Sequence, residues 1–277
     1  MINVIIYSFD RACQLDLALR SIEDNFVEWR ECKFNIICKW TNEEYKKGYL
    51  RVKELHKHPS FIFIQETNFK TDTLNAINNS NKKYTTWMMD DDAFIRPFSL
   101  NDEPFKIFEK DLGVSCLSPR LAPYMDYCYT QNRKVKVPVI SENMTWDWRI
   151  AAANDLYHGY PSDWGYPMSI ASFHVFRTSQ ITPIINSIPF KAPNSLEGHM
   201  ALKPVPGNKM ICYKEARNIN IPINKVQTEN NNRFGNVKNL QQDVLNSDFL
   251  KGKRISTNTV YYAVTPSPHF ELDIVLE

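Results

Sequence analysis

The sequence predicts an α/β protein with an open, mostly parallel central sheet flanked by helices, followed by a half of mixed character. Three observations point there. Apolar runs of strand length alternate with helical stripes over residues 1–95. Those runs are apolar almost throughout, as in strands covered on both faces. Beyond residue 93 the alternation gives way to an irregular, aromatic-rich stretch.

Residues 3–9 (NVIIYSF) read as the first strand. Leu15, Leu19, Ile22 and Phe26 then recur at spacings of four, three and four, one stripe of a helix. A second strand covers residues 34–40. It runs into Thr41-Asn-Glu-Glu44, a capping box that opens the next helix. Residues 61–64 form a third strand, Leu74 and Ile77 mark a short helix, and residues 84–89 (YTTWMM) form a fourth strand. Strands alternating with helices imply parallel pairing, with ligands collecting beyond the carboxyl ends of the strands where the strand order reverses. The loops that matter are therefore Ser8-Phe9-Asp10-Arg11, Thr41-Asn42, residues 65–72 and Asp90-Asp91-Asp92.

Further on, Phe105 and Phe108 sit on a helix ending before Gly113, and residues 114–117, 135–137 and 170–176 read as strands. Trp146, Trp148, Tyr157, Tyr160, Trp164 and Tyr166 lie between them. Residues 196–202 and 236–250 read as helices, residues 219–235 are rich in Asn, and residues 256–277 are weakly patterned. Neither a repeat nor a linker divides the chain, so a single domain over 1–277 is expected.

The composition, 43% hydrophobic and 23% charged, is that of a globular protein. A net charge of +2 without a dense basic tract argues against a nucleic-acid binder. Six cysteines without a Cys-x-x-Cys pair argue against a zinc ribbon or a thioredoxin-like centre; a reduced, cytoplasmic protein is expected. No apolar run approaches the ~20 residues of a membrane span, which leaves peripheral membrane contact open. The P-loop pattern is absent.

The chemistry concentrates in Asp90-Asp91-Asp92. Three adjacent carboxylates repel one another, no cation stands near them in sequence, and a divalent ion would relieve the repulsion. In extended chain Asp90 and Asp92 point the same way, ~6.6 Å apart by backbone rise. Hard carboxylate oxygens suit Mg²⁺ or Mn²⁺ bridging to phosphate. The alternative is a solvated acidic turn, which the preceding hydrophobic strand disfavours.

The segment Trp87-Met-Met-Asp-Asp-Asp-Ala-Phe-Ile95 resembles the Asp-x-Asp region of GT-A glycosyltransferases, and residues 3–11 resemble that family's first strand and loop. The likeness covers residues 1–95 and is diffuse beyond. It implies a GT-A, Rossmann-like fold with a nucleotide-binding half over 1–95, an acceptor half over 96–235 and an extension over 236–277. It also implies transfer of a sugar from a nucleotide-sugar donor to a hydroxyl acceptor on a glycan, a lipid-linked oligosaccharide or a protein, in glycan or polysaccharide biosynthesis.

By that resemblance Ser8, Phe9, Asp10 and Arg11 contact the nucleotide, with Asp10 alternatively an N-cap of the first helix. Lys70 would neutralise the diphosphate or be a surface lysine. Asp92 would hold the metal, Asp90 the ribose or the metal, and Asp91 would lie behind them or face solvent. Inverting members need a general base at a helix start about a hundred residues later; Glu197 fits, without the usual Glu-Asp pair. Asp147 and Asp163 are the fallback. The Trp/Tyr stretch is a candidate acceptor platform, His174 a core histidine, and His199 or His269 a third metal ligand. Residues 230–235 (NNNRFG) would be a donor-closing loop with Arg233 near phosphate, or a plain surface loop. Lys39-Trp40-Thr41-Asn42 stands where the family often has an acidic base-reading residue, which leaves the base open. The competing readings are a sugar nucleotidyltransferase, disfavoured by the lack of a Gly-rich loop after the first strand, and a non-catalytic relative.

Overall fold

A computed structural model describes residues 1–226, 233–235, 237 and 240–277. The strands are β1 (Ile2–Phe9), β2 (Lys33–Lys39), β3 (Phe61–Gln65), β4 (Tyr84–Met89), β5 (Asp92–Phe94), β6 (Val114–Leu117), β7 (Tyr127–Cys128), β8 (Arg133–Lys134), β9 (Thr145–Asp147), β10 (Leu156–Tyr157), β11 (Tyr160–Pro161), β12 (Phe176–Arg177), β13 (Lys209–Ile211) and β14 (Asn218–Asn220). The helices are α1 (Ala12–Asn25), α2 (Glu43–Leu55), α3 (Phe69–Asn78), α4 (Glu103–Lys110), α5 (Trp148–Asn154), α6 (Thr178–Ser187), α7 (Pro193–Ala201) and α8 (Gln242–Leu250).

The central sheet has the order β12-β4-β1-β2-β3. β1 pairs in parallel with both β2 and β4, β2 with β3 likewise, and β12 closes the edge antiparallel to β4. The order turns back on itself at β1. The crevice past the carboxyl ends of β1 and β4 is therefore the switch point, where such sheets bind ligands. This is the mostly parallel α/β arrangement expected from residues 1–95. A second small sheet, β6-β13-β9, and the pair β5-β14 build the mixed half.

Burial explains the first half well. β1 is buried along seven of its eight residues, and Leu15, Leu19 and Ile22 turn the stripe of α1 into the same core. Phe26 ends that stripe with its ring 5.0–6.4 Å from those of Phe34, Phe94, Phe98 and Phe173, joining the two halves through edge-on contacts and, at Phe94, a tilted one. One continuous core runs from Ile2 to Ile274.

Four expectations need correction. The capping box at Thr41 moves one residue on: Asn42 caps α2 by accepting from Tyr45 N at 3.1 Å. Thr41 is withdrawn because its N–H and hydroxyl both donate to Asp10, each at 2.9 Å. The strand expected over residues 170–176 shrinks to Phe176–Arg177, because Ser172 and Phe173 adopt left-handed φ of 59° and 68°, outside strand geometry. The strand expected at 135–137 is not formed; the short hairpin arm β8 precedes it, at Arg133–Lys134. The last helix starts at Gln242, and positions 236, 238 and 239 of the expected span lie outside the described residues.

Candidate active site

β1 and β4 end side by side, and Asp90 N still donates to Tyr7 O at 3.1 Å, carrying the ladder one residue past the strand. This places the Asp triplet against the Ser8–Arg11 loop. The Asp90 carboxylate accepts from Ser8 Oγ at 2.9 Å, Phe9 N at 3.2 Å and Arg11 at 3.0 Å. The same Arg11 nitrogen reaches Asp91 at 2.9 Å, while its other terminal nitrogen bonds the Asn224 carbonyl. The triplet therefore does have a cationic partner, which corrects the reading of the isolated motif. Arg11 comes from a neighbouring strand end, invisible to local sequence.

Asp92 turns away from that crevice. It accepts from Met89 N at 2.7 Å, Ser172 N at 2.7 Å, Ser172 Oγ at 3.1 Å and Asn220 Nδ2 at 2.8 Å. Two oxygens with four donors have little capacity left, so the carboxylate expected to hold a metal is here the clasp joining β4, the 170–175 segment and β14. Asp91 keeps the most capacity: one oxygen takes Arg11, the other Asn220 Nδ2 at 2.7 Å. Burial pushes the Asp90 carboxyl above the usual range, Arg11 draws it down and the Asp91 charge raises it again. Asp92 is raised by burial and then by Asp91.

The remaining residues of the loop act within the protein. Asp10, at φ 55°, clasps Thr41 at the end of β2 and does not cap α1. Phe9 packs its ring beneath Lys39, 5.3 Å away. Lys70 donates to Ile188 O at 3.2 Å and lies over the Phe190 ring, on the flank of α3, with no contact to the carboxylates among the described residues. Arg233 bonds Tyr127, Asn132 and the Tyr129 carbonyl; Asn230, Asn231 and Asn232 of its expected loop lie outside the described residues.

Across the crevice a second polar group gathers around the buried Arg120. Its Nε donates to His174 at 3.1 Å, and its two terminal nitrogens reach His269 at 2.9 Å and Asp163 at 2.8 Å. His174 is a core histidine as expected, held neutral far below its usual range by burial and by Arg120. His269 sits beside Asn220, whose N–H bonds Pro268 O and whose carbonyl accepts from Phe270 N. Burial, then Arg120, lowers its pKa to about 4. Glu197, on α7, accepts from Ile170 N at 3.1 Å, and burial raises its carboxyl above the usual range. Asp163 keeps one buried oxygen without a partner among the described residues. Asp147 is the N-cap of α5, and His199 bonds back to Ser195 O within α7; neither joins the site. The aromatic stretch divides. Trp146 and Trp164 meet edge-on in the core with centroids 5.0 Å apart, whereas Tyr157 and Tyr160 stand exposed on the β10–β11 hairpin.

Sequence reading missed Arg120, Ser172 and Asn220. Arg120 stands in no motif, Ser172 lay in an apparent strand, and Asn220 is one Asn among many. No group of three or more His, Cys, Asp or Glu side chains among the described residues converges as a ready-made metal cage.

An open, mostly parallel sheet with strand-borne carboxylates at its switch point is the α/β architecture expected from residues 1–95. The chain is 27% identical over 197 residues to the bifunctional glycosyltransferase pgtA of Dictyostelium discoideum, covering 68% of this chain and 25% of that protein. The chain thus spans about a quarter of that relative's length. No protein-family model matches. Among solved structures, TarS 1–349 of S. aureus is similar at 14% identity and a TM-score of 0.49, covering 77% of this chain and 58% of that one. The mannosyltransferase PcManGT of Pyrobaculum calidifontis, in complex with GDP-Man and Mn²⁺, is similar at 9% identity and a TM-score of 0.43, covering 77% and 56%. No helix among the described residues is long and apolar enough to cross a membrane.

Proposed function

We propose that the chain is a glycosyltransferase that moves a sugar from a nucleotide-sugar donor to a hydroxyl acceptor on a glycan, lipid-linked or protein substrate, with inversion and with Mg²⁺ or Mn²⁺. The observation that carries this is the triplet at the switch point: three adjacent carboxylates, two of them buried, with a single guanidinium that pairs Asp90 and Asp91 among the described residues. The sequence likeness to pgtA supports the reaction class.

The donor set fits a divalent ion of this kind. Mg²⁺ takes one or two carboxylates and completes its shell with water and substrate phosphates, so it needs no preformed cage. Asp91, which has spare lone pairs, and Asp90 would hold it. Asp92 is moved from the metal to the clasp that positions them. Bound there, the ion would offset charge on the leaving diphosphate.

The chain's own residues do the rest. Arg11 holds Asp90 and Asp91 in place and adds a buried positive charge at the mouth of β1. Glu197 takes the proton from the acceptor hydroxyl, and its raised pKa makes it a stronger base than an exposed carboxylate. Asp163, with its unpartnered oxygen, is the second candidate for that proton. The crevice past the carboxyl ends of β1 and β4 admits the nucleotide beside Phe9 and Arg11.

Thermal unfolding with UDP, GDP, CMP and dTDP, each with and without Mn²⁺, tests the site. One nucleotide at a hundredfold excess over its Kd stabilises by about 2.7 kcal/mol. The shift is expected to need metal and to vanish in Asp91→Asn. Glu197→Gln should keep the shift and lose transfer. A protein that no nucleotide stabilises is not the enzyme proposed.

A further inference from the structure

We propose that Arg120 is a positioning residue that locks His269 as a neutral Nδ1–H donor, aimed at an anionic oxygen of the donor's diphosphate, and that His269 is therefore not a metal ligand. The phosphate part rests on the reading given under Proposed function. The tautomer part stands on geometry alone.

A guanidinium has five N–H donors and no acceptor. Arg120 approaches Nε2 of His269 at 2.9 Å, so that nitrogen must present its lone pair. A proton there would oppose an Arg120 N–H head-on. The neutral imidazole must then carry its hydrogen on Nδ1. A metal ligand needs a bare nitrogen, and the bare one is taken by Arg120. Nδ1 has no protein partner among the described residues, and the side chain is 17% exposed.

The placement gives that free N–H a purpose. His269 bridges to Asn220, whose side chain grips Asp91 and Asp92. Its ring therefore borders the carboxylates on the side facing Arg120 and Asp163. Arg120 itself is only 1% exposed and cannot reach a substrate. It acts through His269, and it treats His174 in the same way: Nε2 of His174 accepts from Arg120, and Nδ1 lies 2.9 Å from the Pro167 carbonyl, to which it must donate. One buried guanidinium thus sets the tautomers of two histidines, one facing the core and one facing the site.

The ¹⁵N resonances of the imidazole rings of the intact protein near pH 7.5, assigned for His269 with His269→Asn, read the tautomer directly. A protonated Nδ1 beside a bare Nε2, unmoved by Mg²⁺, is expected. A bare Nδ1 that shifts on adding Mg²⁺ overturns the proposal and makes His269 a metal ligand. Arg120→Lys should release the lock and mix the two tautomers; an unchanged pair would show that Arg120 does not set it. Nucleotide affinity tests the donor. Asn carries an N–H near the place of Nδ1, whereas Gln carries one nearer Nε2. His269→Gln should therefore bind the stabilising nucleotide about tenfold more weakly than His269→Asn, the worth of one hydrogen bond to a charged group. Equal affinities overturn the diphosphate contact. A wild-type protein that binds no nucleotide overturns that contact together with the proposed function, while the ¹⁵N result still decides the tautomer.

Discussion

Two buried charge clusters hang on the same helix. Arg11, which precedes α1, faces Asp90 and Asp91. Asp16, about a turn and a half further on, faces Arg20, Arg254 and His56, and His56 in turn reaches Glu23. In the Asp16 cluster two carboxylates meet two guanidiniums and an imidazole whose nitrogens both face carboxylates. In the Asp90 cluster three adjacent carboxylates have one guanidinium among the described residues, and it meets only Asp90 and Asp91. Titration follows the balance. Burial raises Asp16, but hydrogen bonds from His56 and Arg254 and the arginine charges outweigh it and draw the carboxyl down to about 2. Burial raises Asp90 and Asp92, and there the single arginine does not reverse it. The first cluster is complete. The second lacks two positive charges, the amount a divalent cation brings on the proposed reading.

The sharpest way to break this comparison is to remove one carboxylate from each. Asp16→Ala leaves Arg20, Arg254 and His56 facing a void, and losing one partner of a buried ionic network costs about 3–5 kcal/mol. Asp91→Asn removes charge where charge is in excess, leaves Arg11 paired with Asp90, and should stay within about 1 kcal/mol of wild type. Urea unfolding of the two variants without metal measures the difference. A loss at Asp91 as large as that at Asp16 would sink the idea that the triplet is held in excess.

The pH dependence sharpens the same contrast. Asp16 has a folded pKa below its unfolded value, so its contribution is present above the unfolded pKa near 3.8 and is lost as pH falls toward 2. The size is about 2 kcal/mol, since one pKa unit is worth about 1.4 kcal/mol. For His56, burial opposes the imidazolium, yet the hydrogen bonds to Asp16 and Glu23 prevail and raise its pKa above 6.5. Its contribution is therefore present below 6.5 and fades as pH rises through the folded pKa. The urea midpoint should fall on both sides of that interval, and His56→Gln should flatten the alkaline limb while leaving most of the acid limb. An alkaline limb unchanged in that variant would assign it elsewhere.

How much of this could be read from sequence follows from how local each cause is. β1, β2 and β4 announce themselves because each buries both faces, which makes the run itself apolar, while β3, at the sheet edge, is apolar with only Phe61 buried. The triplet was legible for the same reason, as polar residues fixed to the end of such a run. Its partners were not. Arg11, Ser172 and Asn220 reach it across 79, 80 and 128 positions of chain. The 170–176 run misled because its hydrophobicity is real, with Phe173 and Val175 fully buried, while its backbone turns left-handed where the Ser172 N–H reaches Asp92. Hydrophobic pattern reports burial; it does not report which way a peptide points.

That turn also yields the smallest expected effect. Ser172 contributes two of the four donors on Asp92, its N–H and its hydroxyl. Ser172→Ala removes only the hydroxyl and should cost about 1 kcal/mol, a single hydrogen bond to a charged group that is otherwise satisfied. Ser172→Gly loses the same bond but gains at φ 59°, where a residue with a Cβ is strained by roughly 1 kcal/mol. The two terms oppose each other, so the glycine variant should be more stable than the alanine variant, against the usual order for replacing a residue by glycine. If alanine proves the more stable of the two in urea unfolding, the left-handed turn that feeds Asp92 is not held as described. The clasp then loses its claim to fix the triplet from behind.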